Sequence, residues 1–309
     1  MLKMKHSLIY AFLVASALSI LFGSCKTHEI EEDMTDSVKL ELLDINLEKH
    51  PNDPKLLAAR AQVLFNLHRT KEANYDINRA VELDPDNTGY LLLQADITFA
   101  NGDVQGSYKA LENAEKIDPK AKDIQLKMGE IMFYNRDYDR SLKCLSNVTA
   151  QDPNNRTALF MKGFIYKEKG DTANAVQLLH RVCDKFPDYA PAFEELGILY
   201  ASVSNPLALE YLSTTLQLEP SNTHAMYALA MFHQDHEQME QAEEIYRRIL
   251  DINENSADAW HNLGWIELTY YRDYQRAIEY FDKALAVDPS HQGAITNRQL
   301  AQQALGINQ

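Results

Sequence analysis

The chain has 309 residues, 45% of them hydrophobic, with only 11 glycines and a formal charge of −15. That is enough apolar material for a packed interior, and so few glycines suit a helix-rich chain. Lys3 and Lys5 are the only charges ahead of Cys25, which leaves −17 on the chain from there onward; a surface of that sign repels phosphate backbones, and nucleic-acid binding is not expected.

Residues 1–24 begin with Lys3 and Lys5, continue through an apolar run from Leu8 to Phe22, and end in Gly23-Ser24. This is the layout of a secretory signal, and the run falls short of the roughly 20 residues that span a bilayer. The alternative reading is an uncleaved anchor. The ending Leu21-Phe22-Gly23-Ser24-Cys25 resembles the bacterial lipoprotein processing box, although Phe22 stands where leucine is most common. The resemblance implies acylation of the Cys25 thiol, and two or three acyl chains would hold the protein firmly to a membrane. Residues 25–37 then form a tether: Lys26 to Ser37 carries five acids in twelve residues with no apolar period. In some Gram-negative lineages acids just after the lipidated cysteine route such proteins to the cell surface, but here they start four residues late. The expected place is therefore the periplasmic face of the outer membrane, with surface display as the alternative.

Val38 to Lys49 has helical spacing, with Val38, Leu42 and Ile45 among further leucines, and it stops at His50-Pro51. From there an acidic-proline ending recurs at Pro85, Pro119, Pro153, Pro187 and Pro220, is replaced once by Glu254, and returns at Pro289, at intervals of 33 to 35 residues. Units start near Pro54, Thr88, Lys122, Arg156, Ala190, Thr223 and Ala257. In the last unit Trp260, Leu263 and Gly264 precede Ala277, Phe281, Ala284 and Pro289. This resembles the tetratricopeptide pattern of two antiparallel helices closed by a proline. The resemblance implies an all-α, right-handed superhelical solenoid over residues 38–306, with a half repeat first, about seven full repeats, and a polar capping helix from Gln292 to Leu305. Small residues such as Ala61, Ala95, Gly129 and Gly163 are expected where paired helices cross. The fifth unit loses a residue at Asn205-Pro206 and the seventh gains one around Tyr270-Tyr271-Arg272, both expected between helices.

Candidate chemistry is sparse. Cys144 and Cys183 fall on second helices at non-matching repeat positions, too far apart for a disulfide, and read as small buried hydrophobes. His233, His236 and Glu237 suggest a metal, but no third ligand follows at a fixed spacing. There is no Gly-rich phosphate loop, G-x-S-x-G or H-E-x-x-H, so neither cofactor nor catalytic residues are expected; a metal hydrolase around the two histidines is the least favoured alternative. Asp36-Ser37-Val38 and Asp171-Thr172-Ala173 resemble a bacterial O-glycan acceptor triplet, a pattern loose enough to recur by chance.

In the tetratricopeptide family positions 2, 5, 9 and 12 of each first helix face the concave side. At positions 5, 9 and 12 of the seven units, fourteen of 21 residues are hydrophobic. The resemblance thus assigns a partner groove to Phe65, Leu92, Phe99, Leu126 and Phe133, and then to Phe160, Phe164, Ile198, Tyr227, Met231 and Trp265. The alternative is that these side chains wedge between neighbouring first helices; Trp260 should be buried between helices in either case. The carboxylate clamp of chaperone-type members is absent, because the matching pairs are Ala58 with Gln62, Leu92 with Asp96 and Leu126 with Glu130. The expected function is a non-enzymatic scaffold that docks a protein or peptide of the cell envelope, such as part of a secretion or assembly machine or a cell-wall hydrolase. A surface lipoprotein that captures external protein or aids nutrient uptake is the alternative.

Overall fold

A computed structural model describes residues 35–306. Cys25, the signal segment and most of the tether lie outside them. The described residues are helical throughout, without a strand, and none of their helices is long and apolar enough to cross a membrane. Sixteen α-helices are present among them. A lone helix, α1 (Asp36–Lys49), starts two residues before the expected Val38. Hairpins follow: α2 (Pro54–Asn66) with α3 (Thr70–Leu83), α4 (Thr88–Ala100) with α5 (Val104–Ile117), and α6 (Lys122–Tyr134) with α7 (Tyr138–Gln151). Next come α8 (Arg156–Glu168) with α9 (Thr172–Lys185), α10 (Ala190–Ser202) with α11 (Leu207–Leu218), and α12 (Thr223–Asp235) with α13 (Met239–Ile252). The last hairpin is α14 (Ala257–Ile266) with α15 (Tyr274–Val287), and α16 (Gln292–Ala304) closes the chain. All seven first helices start at the residues the repeat spacing marks.

The chain divides into two compact units, Met1–Ala158 and Leu159–Gln309, the division falling in the first turn of α8. In the first, Leu47 of α1 joins Leu57, Ala61 and Ile77 in one core, while Leu91, Leu111, Met128 and Cys144 build a second. In the other unit the cores centre on Leu159, Leu179 and Leu196, then on Met226, Tyr246 and Leu263, and finally on Phe281, Ala294 and Ala301.

Helix pairing follows from size complementarity at one repeat position. Ala61, Ala95, Gly129, Gly163, Gly197, Ala230 and Gly264 occupy it in turn and are buried. The four glycines lie against a large residue of their second helices: a Cβ on Gly129 would sit 2.8 Å from Leu145, and one on Gly264 would sit 2.7 Å from Phe281. Ser107 and Ser141, also buried, donate their hydroxyls to the carbonyls of Ala95 and Gly129, each at 2.7 Å, which satisfies a polar group at the crossing.

Each turn between paired helices contains one residue in the left-handed region: His68, Gly102, Arg136, Gly170, Ser204, Glu237 and Arg272. Aspartates then cap several second helices; Asp103, Asp137 and Asp171 accept from the amides of Gly106, Arg140 and Asn174. The closing prolines force the preceding residue to be extended, and that ends the second helices. In the fifth hairpin Asn205 accepts from Leu207 N at 3.0 Å, with Pro206 directly before α11, so the missing residue is absorbed in the turn. The seventh hairpin departs from expectation. Its extra residue is accommodated as a π-helical turn, Glu267–Tyr271, at the end of the first helix, because widening one turn leaves both helix faces in register.

Arg60 of α2 fastens the terminal helix. Its Nε and one terminal nitrogen meet the buried Asp76 of α3 at 2.7 and 2.8 Å, and the other reaches Asp44 of α1 at 2.8 Å. Cys144 and Cys183 are free and buried, one in each unit. Burial raises both thiols above their ordinary value, Cys183 to about 12.

Candidate partner-binding surface

All eleven residues expected to line a groove are half-buried; none is sealed in the core and none is fully exposed. They lie on first helices. In the first unit Phe65 packs partly against the α2–α3 core, and Leu92 and Phe99 against the next one. The Phe99 ring meets Tyr134 edge-on at 5.0 Å, and Phe133 lies 6.0 Å from Tyr138. Leu126, on the same helix α6 as Phe133, is also half-buried. In the second unit Phe160 lies 6.5 Å from Phe164 and 5.3 Å from Tyr189, while Ile198, Tyr227, Met231 and Trp265 pack partly against one shared core.

Within each unit, polar contacts tie neighbouring helices of this set together. Lys127 of α6 meets Asp96 of α4 at 2.8 Å and Glu130 at 3.5 Å. Burial raises the Glu130 carboxyl above its ordinary range, against the pull of Lys127; burial also pushes the Lys127 ammonium down, but Glu130 and Asp96 together hold it above the usual lysine range. Two carboxylates thus share one ammonium; at the other matching pair Ala58 is buried and Gln62 donates to Asn66. In the second unit Lys167 pairs with Glu195 and stands 4.5 Å from the Phe164 ring. Glu194 accepts from His224, and that hydrogen bond raises the imidazole above its ordinary value. Asn262 donates to the Tyr227 hydroxyl at 2.9 Å, and Asn297 of α16 lies 3.0 Å from Nε2 of His261.

Trp260 is half-buried rather than buried between helices. Its indole N–H reaches back to the Glu254 carbonyl at 2.9 Å, which turns one ring face to Tyr280 and places the Lys283 ammonium 4.4 Å from the ring. The His233 imidazole faces the Gln238 amide oxygen at 2.6 Å, and His236 contacts the Phe232 carbonyl at 2.7 Å while stacking on that ring. Among the described residues no cluster of three or more histidines, cysteines or carboxylates is arranged to hold a metal. The polar contacts between first helices went unread in the sequence. Their signal was there, as charges at stripe positions that are mostly apolar, Asp96, Glu130, Lys167 and Glu194, together with the polar His261.

Tetratricopeptide-repeat family models match residues 98–161, 157–189 and 222–290. The chain therefore carries tetratricopeptide repeats, and its all-helical fold is that of the solenoids built from them. It is 31% identical over 118 residues to Superkiller protein 3 of Schizosaccharomyces pombe, a match that takes in 36% of this chain and 8% of that protein's length. Among solved structures it is similar to the C-terminal part of a repeat-containing protein from Cytophaga hutchinsonii, with a TM-score of 0.61, 18% identity, and coverage of 77% of this chain and 97% of that one. YrrB, described as a tetratricopeptide-repeat protein with an unusual peptide-binding site, matches with a TM-score of 0.50 and 20% identity over 61% of this chain and 98% of its own. These likenesses concern the fold.

Proposed function

We propose that this chain is a non-enzymatic scaffold, anchored through a lipid on Cys25 at the periplasmic face of a bacterial outer membrane, that binds a protein or peptide of the cell envelope along its first helices. Tetratricopeptide-repeat proteins serve as interaction scaffolds, and that much rests on the repeats themselves. The observation that supports the first helices as the binding surface is the uniform half-burial of the eleven stripe residues, from Phe65 to Trp265. An aromatic ring packed along one edge and open on the other is held in place before a partner arrives, so little side-chain freedom is lost on binding. Such rings, set among satisfied polar pairs, are the usual anchors of an interface. The signal layout and Cys25 supply the anchor, with a tether that lets the repeats stand off the lipid.

Two measurements test the reading. Cys25→Ser should block acylation and processing and leave the protein at a larger size; unchanged size and fractionation would refute the lipid anchor. With Trp260→Phe in place, Trp265 emission should be open to a neutral quencher in the free protein and should shift blue when a partner, captured by crosslinking in membranes, is added. If Phe133→Ala and Trp265→Ala lower stability but leave capture of that partner intact, the stripe is packing only.

A further inference from the structure

The structure assigns a second docking surface, separate from the first-helix stripe: the outward face of α1, which fits a partner's amphipathic helix with basic residues along one edge. The argument starts from what α1 does not share with its siblings. One repeat further on, the place of Val38 is taken by Glu72, and in later units by Gly106 and Arg140; the place of Ile45 is taken by Arg79, Asn113 and Asn147. Positions that are polar or bare in every other second helix of this unit are apolar only here. Between them Leu42 stands where Asp76, Ala110 and Cys144 are buried in their own hairpins. In α1 the side chains of Val38, Leu42 and Ile45 are 45%, 46% and 45% exposed.

The spacings of four and three place these three residues on one stripe. Leu40, Leu43 and Leu47 form the opposite stripe, and Leu47 is the one buried against α2 and α3. The helix is thus apolar on two faces and packed on one. An apolar stripe kept in water at the end of an array, where no first helix precedes it among the described residues, marks a surface that something covers.

Charge selects the occupant. Glu41 and Glu48 lie exposed along one edge of the stripe, seven residues and so two turns apart. From Lys26 to Lys49 the sequence has eight carboxylates against three basic side chains. A second copy packed antiparallel by two-fold symmetry would set this acidic edge against itself, and an anionic lipid surface would be repelled as well. A helix with leucines on one stripe and lysines or arginines along its edge meets both requirements, since the complementary charges speed encounter and fix the register.

The test uses the full chain in nanodiscs of neutral lipid, with empty nanodiscs as the blank. The probe is a labelled peptide of about four helical turns carrying a leucine stripe and an edge of lysines. Saturable binding is expected, weakening as salt is raised and falling at least about thirtyfold on Leu42→Glu, the scale of losing an interface anchor. Val38→Ser with Ile45→Ser should give the same loss, and Trp265→Ala should not. Should Leu42→Glu lower helicity, the double serine variant decides. The proposal is overturned if a peptide with glutamates in place of the lysines binds equally well, if binding survives both α1 variants, or if the chain sediments as a dimer that Leu42→Glu dissolves.

Discussion

His68, Arg136, Ser204, Glu237 and Arg272 all adopt left-handed backbone between paired helices, a conformation glycine takes freely and that costs other residues about 1–2 kcal/mol each. The turn persists because the hairpin geometry on both sides dictates it. Gly102 and Gly170 show what the position prefers, and a Cβ at either would meet nothing within 4 Å, so any cost there is backbone conformation alone. Arg136→Gly should therefore stabilise by about 0.5–1 kcal/mol, the strain relieved less the entropy glycine adds to the unfolded chain, and Gly102→Ala should destabilise by about 1 kcal/mol. The urea midpoint at constant slope measures both; a lower midpoint for Arg136→Gly would show that the arginine side chain holds the turn.

At the level of elements, the docking of α16 depends on a pair of imidazoles. His261 of α14 lies 4.8 Å from His291, with Nδ1 3.1 Å from the Asn262 side-chain oxygen and Nε2 toward Asn297 of α16. His291 in turn caps α16 by accepting from Ala294 N at 3.0 Å, and its other nitrogen meets Asp258 at 3.1 Å. Burial, and then the neighbouring His291, hold His261 below the ordinary imidazole value. Because its folded value is depressed, the stability it contributes is present above the unfolded value and is lost as pH falls through the folded one. Thermal melts from pH 7 down to pH 5 should thus show an acid loss that His261→Gln reduces. An unchanged acid limb in that variant would place the sensitivity elsewhere. The sequence made the hairpins legible because the proline endings and the small residues from Ala61 to Gly264 recur in register. It did not show the imidazole pair, since His261 and His291 become neighbours only when α16 folds back on α14. Nor did it show the π-helical turn, because an added residue near Tyr271 reads equally well as a longer loop.

For the molecule as a whole, the repeats form two compact units, and among the described residues each encloses one buried cysteine: Cys144 in the first and Cys183 in the second. Burial raises both thiols above their ordinary value, Cys183 to about 12, which disfavours the thiolate, the reactive form. The native chain is thereby protected from mixed disulfides, whereas an opened unit exposes a thiol of ordinary reactivity. Labelling should therefore proceed at the pace of local opening, with Cys144→Ala and Cys183→Ala, each on a Cys25→Ser background, reporting the two units separately. Equal rates would mean that the units open together. Unequal rates would rank them, so the two thiols act as paired clocks, one for each half, where the tryptophans Trp260 and Trp265 report only on the second.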